Sequence, residues 1–328
     1  MKNLKTKYLG FELESPLIVG SCGLCNTIEN LKEMERSGAG AIVLKSLFEE
    51  QIIEERVKSA TQGIYTSFHP EALEYISQMS MNFGPEYYIK LIKDAKNELK
   101  IPVIASVNCI SKEYWIEFAK KIEKAGADAV ELNISHIVHD VETSANDITD
   151  DYLSTFRAVK DNIKIPVAVK MGSNYTNIAR MVKLIQNYGA KGVVLFNRFY
   201  QTDIDTDKLE LVPGYIRSSR KDLTETIRWV SIVSSKTDID IAAGRGVKDG
   251  IDAIKLILAG AEAVQVVSAL YKNGIGYISK MNREIESWME EKEFRSIEEF
   301  KGKLSQKNIE NPQAWERQQY IKALVGIE

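Results

Sequence analysis

Four helix-period stretches of this chain close on the same dipeptide and then run straight into a short apolar segment. The dipeptides are Gly38-Ala39, Gly126-Ala127, Gly189-Ala190 and Gly260-Ala261. Two further apolar segments open instead on Ile-Pro-Val, at Ile101–Val103 and Ile165–Val167. Glycine just past a helix supplies the left-handed residue that ends it. A strand following at once is the pattern of strand–helix units in a parallel sheet. Apolar runs recur at Pro16–Ser21, Ala41–Ser46, Ile101–Val107, Ala129–Ser135, Ile165–Met171, Gly192–Asn197, Ile239–Ala243 and Ala263–Val267. Eight runs alternating in two flavours predict a closed (β/α)8 TIM barrel, whose inward residues stack from alternate strands. An open, doubly wound sheet offers no reason for the alternation to reach eight.

At 328 residues the chain exceeds the roughly 250 typical of such a barrel, which leaves room for a long loop and a tail. The expected organisation is one barrel domain over 1–303 and a C-terminal tail over 304–328. A lid-like insertion spans 48–85 and holds Tyr65, His69, Pro70, Tyr75 and Phe83. Loops of that length at a barrel mouth serve as lids or partner surfaces. The tail carries Trp315, Tyr320 and Ile321, enough to dock on the barrel or on a second copy, so a homodimer is among the expected assemblies. A net charge of −3 with both signs interspersed recommends neither nucleic acid nor an anionic membrane as a partner. No apolar run approaches the ~18 residues of a spanning helix. Three cysteines are too few for a disulfide framework, so a cytoplasmic location is expected.

Function should gather where the strands end. Gly244-Arg245-Gly246 follows the seventh strand and Val267-Ser268 the eighth, each close to a helix start. Such a place presents a phosphate-sized nest of backbone N–H groups. Lys45-Ser46 ends the second strand, and Lys170 sits inside the apolar run of the fifth. A cation in that setting needs a buried anion or a polarisable ligand to offset its desolvation. Alternation places Glu131, Asn133 and Ser135 on one face of the fourth strand, and Asn197-Arg198 adds an amide and a cation to the same rim. His136 could serve there as a general base, or be a surface histidine beside His139 and Asp140. Cys22 and Cys25 have the spacing of a redox pair or metal half-site. The favoured reading is that this turn is small so that backbone can approach a ligand, because Cys109 is the sole other thiol. No Gly-x-Gly-x-x-Gly motif follows a strand, so a nicotinamide cofactor would have to act through another subunit or an unusual mode.

These residues resemble the dihydroorotate dehydrogenase family of flavin-binding barrels. The matching pieces run from Ser21 and Thr27-Ile28-Glu29 through Lys45-Ser46, Glu131-Leu132-Asn133-x-Ser135, Val169-Lys170 and Asn197. They continue through Gly246, Gly250-x-Asp252-Ala253, Gly260-Ala261-x-x-Val264-Gln265 and Ala269-Leu270-Tyr271 to Ser296-Ile297-x-x-Phe300-x-Gly302-Lys303. The resemblance implies an oxidoreductase acting on CH–CH groups, with flavin mononucleotide (FMN) across the barrel mouth. His136 and Lys45 become the implied catalytic residues. The implied cofactor residues are Gly20, Ser21, Lys45, Ser46, Asn108, Asn133, Lys170, Asn197, Gly244, Gly246, Val267 and Ser268. No metal is expected, and the partner is a small-molecule substrate.

The departures concern the substrate. Where family members carry a cysteine or serine base, this chain has His136. The family's Ser-Cys-Pro-Asn becomes Ser135-His136-Ile137-Val138, without the asparagine that holds orotate. The loop Asn-Ser-Met-Gly-x-Pro-Asn has no counterpart in Ser77–Gly84 beyond Asn82. The expectation is hydride transfer between FMN and a small anionic or carbonyl-conjugated substrate other than dihydroorotate. The alternatives are a flavin- or phosphate-binding subunit without turnover, a true dihydroorotate dehydrogenase with a histidine base, and a non-redox phosphate-binding barrel.

Overall fold

The structure, a computed structural model, describes residues 2–48, 84–109, 113–134, 140–198, 202–214 and 218–317. His136, Ser135, His69 and nearly all of the expected lid lie outside the described residues.

The chain opens with an antiparallel hairpin, β1 (Thr6–Tyr8) and β2 (Phe11–Leu13). The barrel strands follow as β3 (Leu17–Val19), β4 (Ala41–Val43) with its short continuation β5 (Leu47–Phe48), and β6 (Val103–Cys109). After these come β7 (Ala129–Ile134), β8 (Val167–Met171), β9 (Gly192–Leu195), then β12 (Asp240–Ala243) and β13 (Ala263–Val266). Between them, β10 (Thr202–Asp205) and β11 (Glu210–Pro213) form a separate antiparallel hairpin. The barrel strands pair in parallel around the circle, and β4 closes it on β6 through Ile42↔Val103 and Val43↔Ile104. The predicted TIM barrel is therefore present.

The helices that wrap it are α1 (Ile28–Arg36), α2 (Pro85–Glu98), α3 (Glu113–Ala125), α4 (Ala145–Lys160), α5 (Ile178–Asn187), α6 (Arg220–Ser234) and α7 (Gly250–Ala259). A short α8 (Ser268–Asn273) and a longer α9 (Tyr277–Glu291) follow the last strand. The repeated glycine does what its position requires. Gly38, Gly126, Gly189 and Gly260 all have left-handed backbone, with φ of 88°, 97°, 96° and 120°. Asp249 caps α7 by accepting from the Asp252 N–H.

Two apolar cores result. One lies between strands and helices and runs the full circumference. The other fills the lower half of the barrel with small side chains, among them Ala41, Ala129, Ala168, Ala242 and Ala263. The N-terminal hairpin plugs this end with Tyr8, Leu9 and Leu13. Its seat is tight: a Cβ on Gly192 would stand 2.6 Å from Leu9 Cδ2.

The second strand is shorter than the expected Ala41–Ser46. The Leu44 N–H still reaches the Ile104 carbonyl at 2.9 Å, and after it the backbone donors leave the ladder: the Lys45 N–H goes to the Cys25 carbonyl at 3.3 Å and the Ser46 N–H to Ser21 Oγ at 2.8 Å. Pairing resumes only at Leu47↔Val107. That interruption lifts Lys45 and Ser46 out of the wall and into the mouth.

Candidate active site

Parallel pairing puts side chains in rungs across neighbouring strands. Ser106 of β6 and Glu131 of β7 share one rung. One step nearer the mouth, Asn108, Asn133 and Lys170 share the next, across β6, β7 and β8. Above the alanine-rich plug, the barrel interior thus changes from apolar to polar within one or two residues of each strand.

Lys170 finds the buried anion its surroundings require. Its ammonium lies 3.4 Å from Glu131 Oε1 and donates to Gln265 Oε1 at 2.9 Å. The Gln265 amide in turn donates to Glu131 Oε2 at 2.6 Å. The three side chains form a closed ring in which the carboxylate is 1% exposed and the lysine 13%. Buried polar groups linked this completely are rigid, because releasing any one leaves another unsatisfied. Beside the ring, the Asn197 amide donates to Asn133 Oδ1 at 2.8 Å.

Hydroxyls line the opposite wall. Ser21 Oγ and Ser46 Oγ are 3.0 Å apart, and Ser46 Oγ and Ser106 Oγ 2.7 Å. Tyr88 of α2 anchors the chain, accepting from the Ser106 N–H at 2.7 Å and donating to its carbonyl at 2.9 Å. Lys45 stands next to them, and partial burial lowers its pKa. Gly20 is packed beneath, where a Cβ would lie 2.9 Å from Val267 Cγ2 and 3.1 Å from Gln265 Oε1.

The expected phosphate end has a more specific construction than the sequence suggests. Ser218 and Ser268 hydroxyls are 3.1 Å apart. Lys248 donates to the Ser218 carbonyl. Burial lowers the pKa of Lys248, and the nearby Lys272 and Arg198 cations act in the same direction against Asp222 and Asp252. Arg245 turns away from this cluster and spends its guanidinium on Asp222, Glu225 and Ser173, each at 3.1–3.2 Å. Gly246 is left-handed (φ 86°), and a Cβ there would stand 2.5 Å from the Leu223 nitrogen and 2.8 Å from the Ser219 carbonyl oxygen. Its smallness is needed by the start of α6, an observation the sequence does not contain. Gly244 packs against Gln265, with 3.3 Å available to a Cβ.

Among the described residues, then, the mouth gathers Gly20, Ser21, Lys45, Ser46, Asn108, Asn133, Lys170, Asn197, Gly244, Gly246, Val267 and Ser268 from the ends of successive strands. Gln265, which the resemblance matched without giving it a role, joins them, as do Ser106, Tyr88, Ser218 and Lys248, none of them singled out from the sequence. For Gln265 and Ser106 a signal existed, since each is a polar residue inside an apolar strand run, as Lys170 is. Ser218 and Lys248 meet only through the packing of α6 against α7, and no local pattern announces it. Cations at both ends and amides between them suit an extended, electron-rich ligand carrying an anionic group.

Comparison with known proteins agrees. The family model for dihydroorotate dehydrogenase matches residues 3–289. A Thermoplasma volcanium protein named dihydroorotate dehydrogenase B (NAD(+)), catalytic subunit, is 31% identical over 313 residues, covering 92% of this chain and 98% of the relative. Proteins of the same name from Methanocaldococcus jannaschii and Pyrococcus furiosus are each 29% identical, covering 91% and 93% of this chain and 97% and 99% of theirs. The chain belongs to the dihydroorotate dehydrogenase family, and is a flavin-dependent oxidoreductase acting on CH–CH groups.

Proposed function

We propose that the chain binds FMN across the barrel mouth and oxidises or reduces a small anionic or carbonyl-conjugated substrate other than dihydroorotate. The observation that carries this reading is the Lys170–Gln265–Glu131 ring beside the Asn133–Asn197 pair. It is a preorganised cationic and amide surface at the end of the barrel where such enzymes work. Bound there, the flavin would supply hydride transfer. Lys170 would hold positive charge against the ring system, and Glu131 with Gln265 fixes where that charge sits. Asn133, Asn197 and Asn108 would orient the flavin or the substrate by hydrogen bonds. Ser218, Ser268 and Lys248 would hold the phosphate. His136, which lies outside the described residues, is proposed as the base that moves the carbon-bound proton.

The case against dihydroorotate rests on the sequence of the substrate segments. Clamping a flat, carboxylated ring takes several amide side chains; Asn133 and Asn197 remain beside Asn108, but the family's asparagine is Val138 here and its substrate loop is gone apart from Asn82. Each hydrogen bond lost at a buried anion costs roughly 1–3 kcal/mol. Losing two or three lowers transition-state binding by several powers of ten. A second reading, dihydroorotate oxidation with a histidine base, draws on the names of the relatives. Those names also speak of NAD(+) and of a catalytic subunit, and in that reading electrons would leave the flavin for the nicotinamide through a second protein.

The test is spectroscopic. Purified protein reconstituted with FMN should show flavin bands that bleach with a reductant and return with an acceptor. Orotate should leave those bands unshifted, and His136→Ala should keep its flavin while losing reduction by the true substrate. Tight orotate binding, or rapid bleaching by dihydroorotate, would establish the second reading. No bands even with added FMN would remove both.

A further inference from the structure

Cys22 and Cys25 bracket the start of a 3-10 turn, Gly23–Asn26, just beyond β3. Both are free thiols, and their sulfurs are 3.7 Å apart. A disulfide requires an S–S distance of about 2.05 Å. Closing that gap asks for a movement of under about 2 Å between residues of a single turn. The two thiols are also unequal in access. Cys22 is half-buried and packs against the edge of the strand–helix core, whereas Cys25 is fully buried within it.

That inequality sets an order of reaction. The Cys25 S–H has two acceptors in reach, the Gly20 carbonyl at 3.6 Å and the Cys22 sulfur. When it points at Cys22 it favours the thiolate there. The backbone N–H groups of Leu24 and Cys25 and the Lys170 ammonium act the same way, and together they lower the Cys22 pKa despite burial. Burial raises that of Cys25. A less buried, acidified sulfur beside a fully buried, protonated partner is the arrangement of an attacking and a resolving cysteine.

The turn is tied to the functional mouth at three points. The Cys25 carbonyl accepts the Lys45 N–H, its sulfur lies 3.6 Å from the Gly20 carbonyl, and the Tyr271 hydroxyl sits where a Cβ on Gly23 would be only 2.8 Å away. Disulfide formation removes the Gly20 contact and draws Cys25 toward Cys22, so the segment bearing Lys45 and Ser46 feels the change.

We propose that Cys22 and Cys25 are a redox-active dithiol, closed to a disulfide by exchange with a small-molecule disulfide, and that closure alters ligand binding at the mouth. The Cys22 thiolate attacks one sulfur of the small disulfide, forming a mixed disulfide and releasing one thiolate. The Cys25 sulfur then displaces the second thiol from Cys22 and gives up its proton to it. The protein dithiol is oxidised by two electrons and the small disulfide is reduced to two thiols. The exchange itself is independent of the proposed cofactor; the coupling to the mouth rests on the FMN reading.

The full chain is equilibrated with graded ratios of oxidised to reduced glutathione, trapped with iodoacetamide and digested with trypsin. Peptide Tyr8–Lys32 contains both cysteines, and Cys109 falls in another peptide. The peptide should pass from doubly alkylated to unalkylated and lighter by two hydrogens. Cys25→Ser should stop at a glutathione adduct on Cys22, and Cys22→Ser should leave Cys25 without an adduct. Double alkylation at every ratio, or a stable adduct in the unmutated chain, overturns the dithiol. FMN affinity of the two forms should differ on the order of fivefold or more. Equal affinities overturn the coupling and leave the exchange standing. FMN binding to neither form overturns the cofactor reading and, with it, the coupling alone.

Discussion

The two ends of this barrel each bury a carboxylate against a lysine, and they do so differently. At the mouth, Glu131 receives both the Lys170 ammonium and the Gln265 amide within a sealed ring. At the plugged end, Glu262 accepts the Ile241 N–H at 2.7 Å, but its cation, Lys301, stands 3.6 Å away. Burial and the neighbouring Asp240 push the Glu262 pKa up to about 7, against the pull of the Ile241 N–H and of Lys301. The Thr6 hydroxyl and the Leu9 N–H tie the hairpin to the same corner, on the Glu262 carbonyl and the Asp240 carboxylate. One end is thus an apolar seal with a loosely compensated charge under it. The other is a polar lattice in which each charge is held by named partners. The lesson is that such a charge points to a site when its partners form a network facing the mouth, as around Glu131, and to a structural role when its neighbours are the hairpin anchors and partly exposed charges, as around Glu262.

The sharpest way to break this contrast is Lys170→Met. Removing the cation strands Glu131 at 1% exposure, which should cost about 3–5 kcal/mol in urea unfolding, together with bound flavin. Adding Glu131→Gln should return most of the stability but not the flavin. Recovery of both would make the ring structural only.

At the other end, Leu13→Ala empties part of the plug and should cost about 2–4 kcal/mol. Flavin content measured below the melting temperature should stay unchanged. A parallel loss of flavin would mean that the two ends are not separable.

Glu262 provides a pH test. Its carboxyl is raised from 4.5 to about 7 in the folded chain, so the folded state holds the proton more tightly than the unfolded state between those values. Stability from this group is therefore full below pH 4.5, falls as pH rises toward 7, and is flat above. The total change is on the order of 3 kcal/mol. Chemical denaturation across that range should show the slope in the parent chain and lose it in Glu262→Gln. An identical slope in both would assign it elsewhere.

The most discriminating change for the proposed phosphate end is a small-to-large one. Gly246→Ala forces a Cβ into left-handed backbone 2.5 Å from the Leu223 nitrogen, so the start of α6 must shift, and it should cost about 3 kcal/mol or more. If Gly246 serves α6, FMN and riboflavin should lose affinity equally. Selective loss of FMN would show that its N–H group faces the phosphate directly.

Much of the mouth could be read before the fold was seen. Lys45, Ser46 and Lys170 stood out because a polar residue at the end of a barrel strand has few places to go but the opening. Gln265 and Ser106 obey the same rule, each a polar residue inside an apolar strand run. Cys22 and Cys25 were legible as a pair, yet the spacing could not say that one sulfur is sheltered and the other half-open.

What the sequence determined by itself is the barrel, because its evidence is local. A left-handed glycine at each of four helix ends and an apolar run after each are properties of neighbouring residues. Residue type alone likewise dictated that Lys170 must have a partner. Which partner was decided only by the tertiary structure: Glu131 and Gln265 are 39 and 95 residues away along the chain. They meet because strand register and barrel closure bring three strand ends to one point. Register is a property of strands paired together, so a single strand's sequence leaves it open until the others are in place.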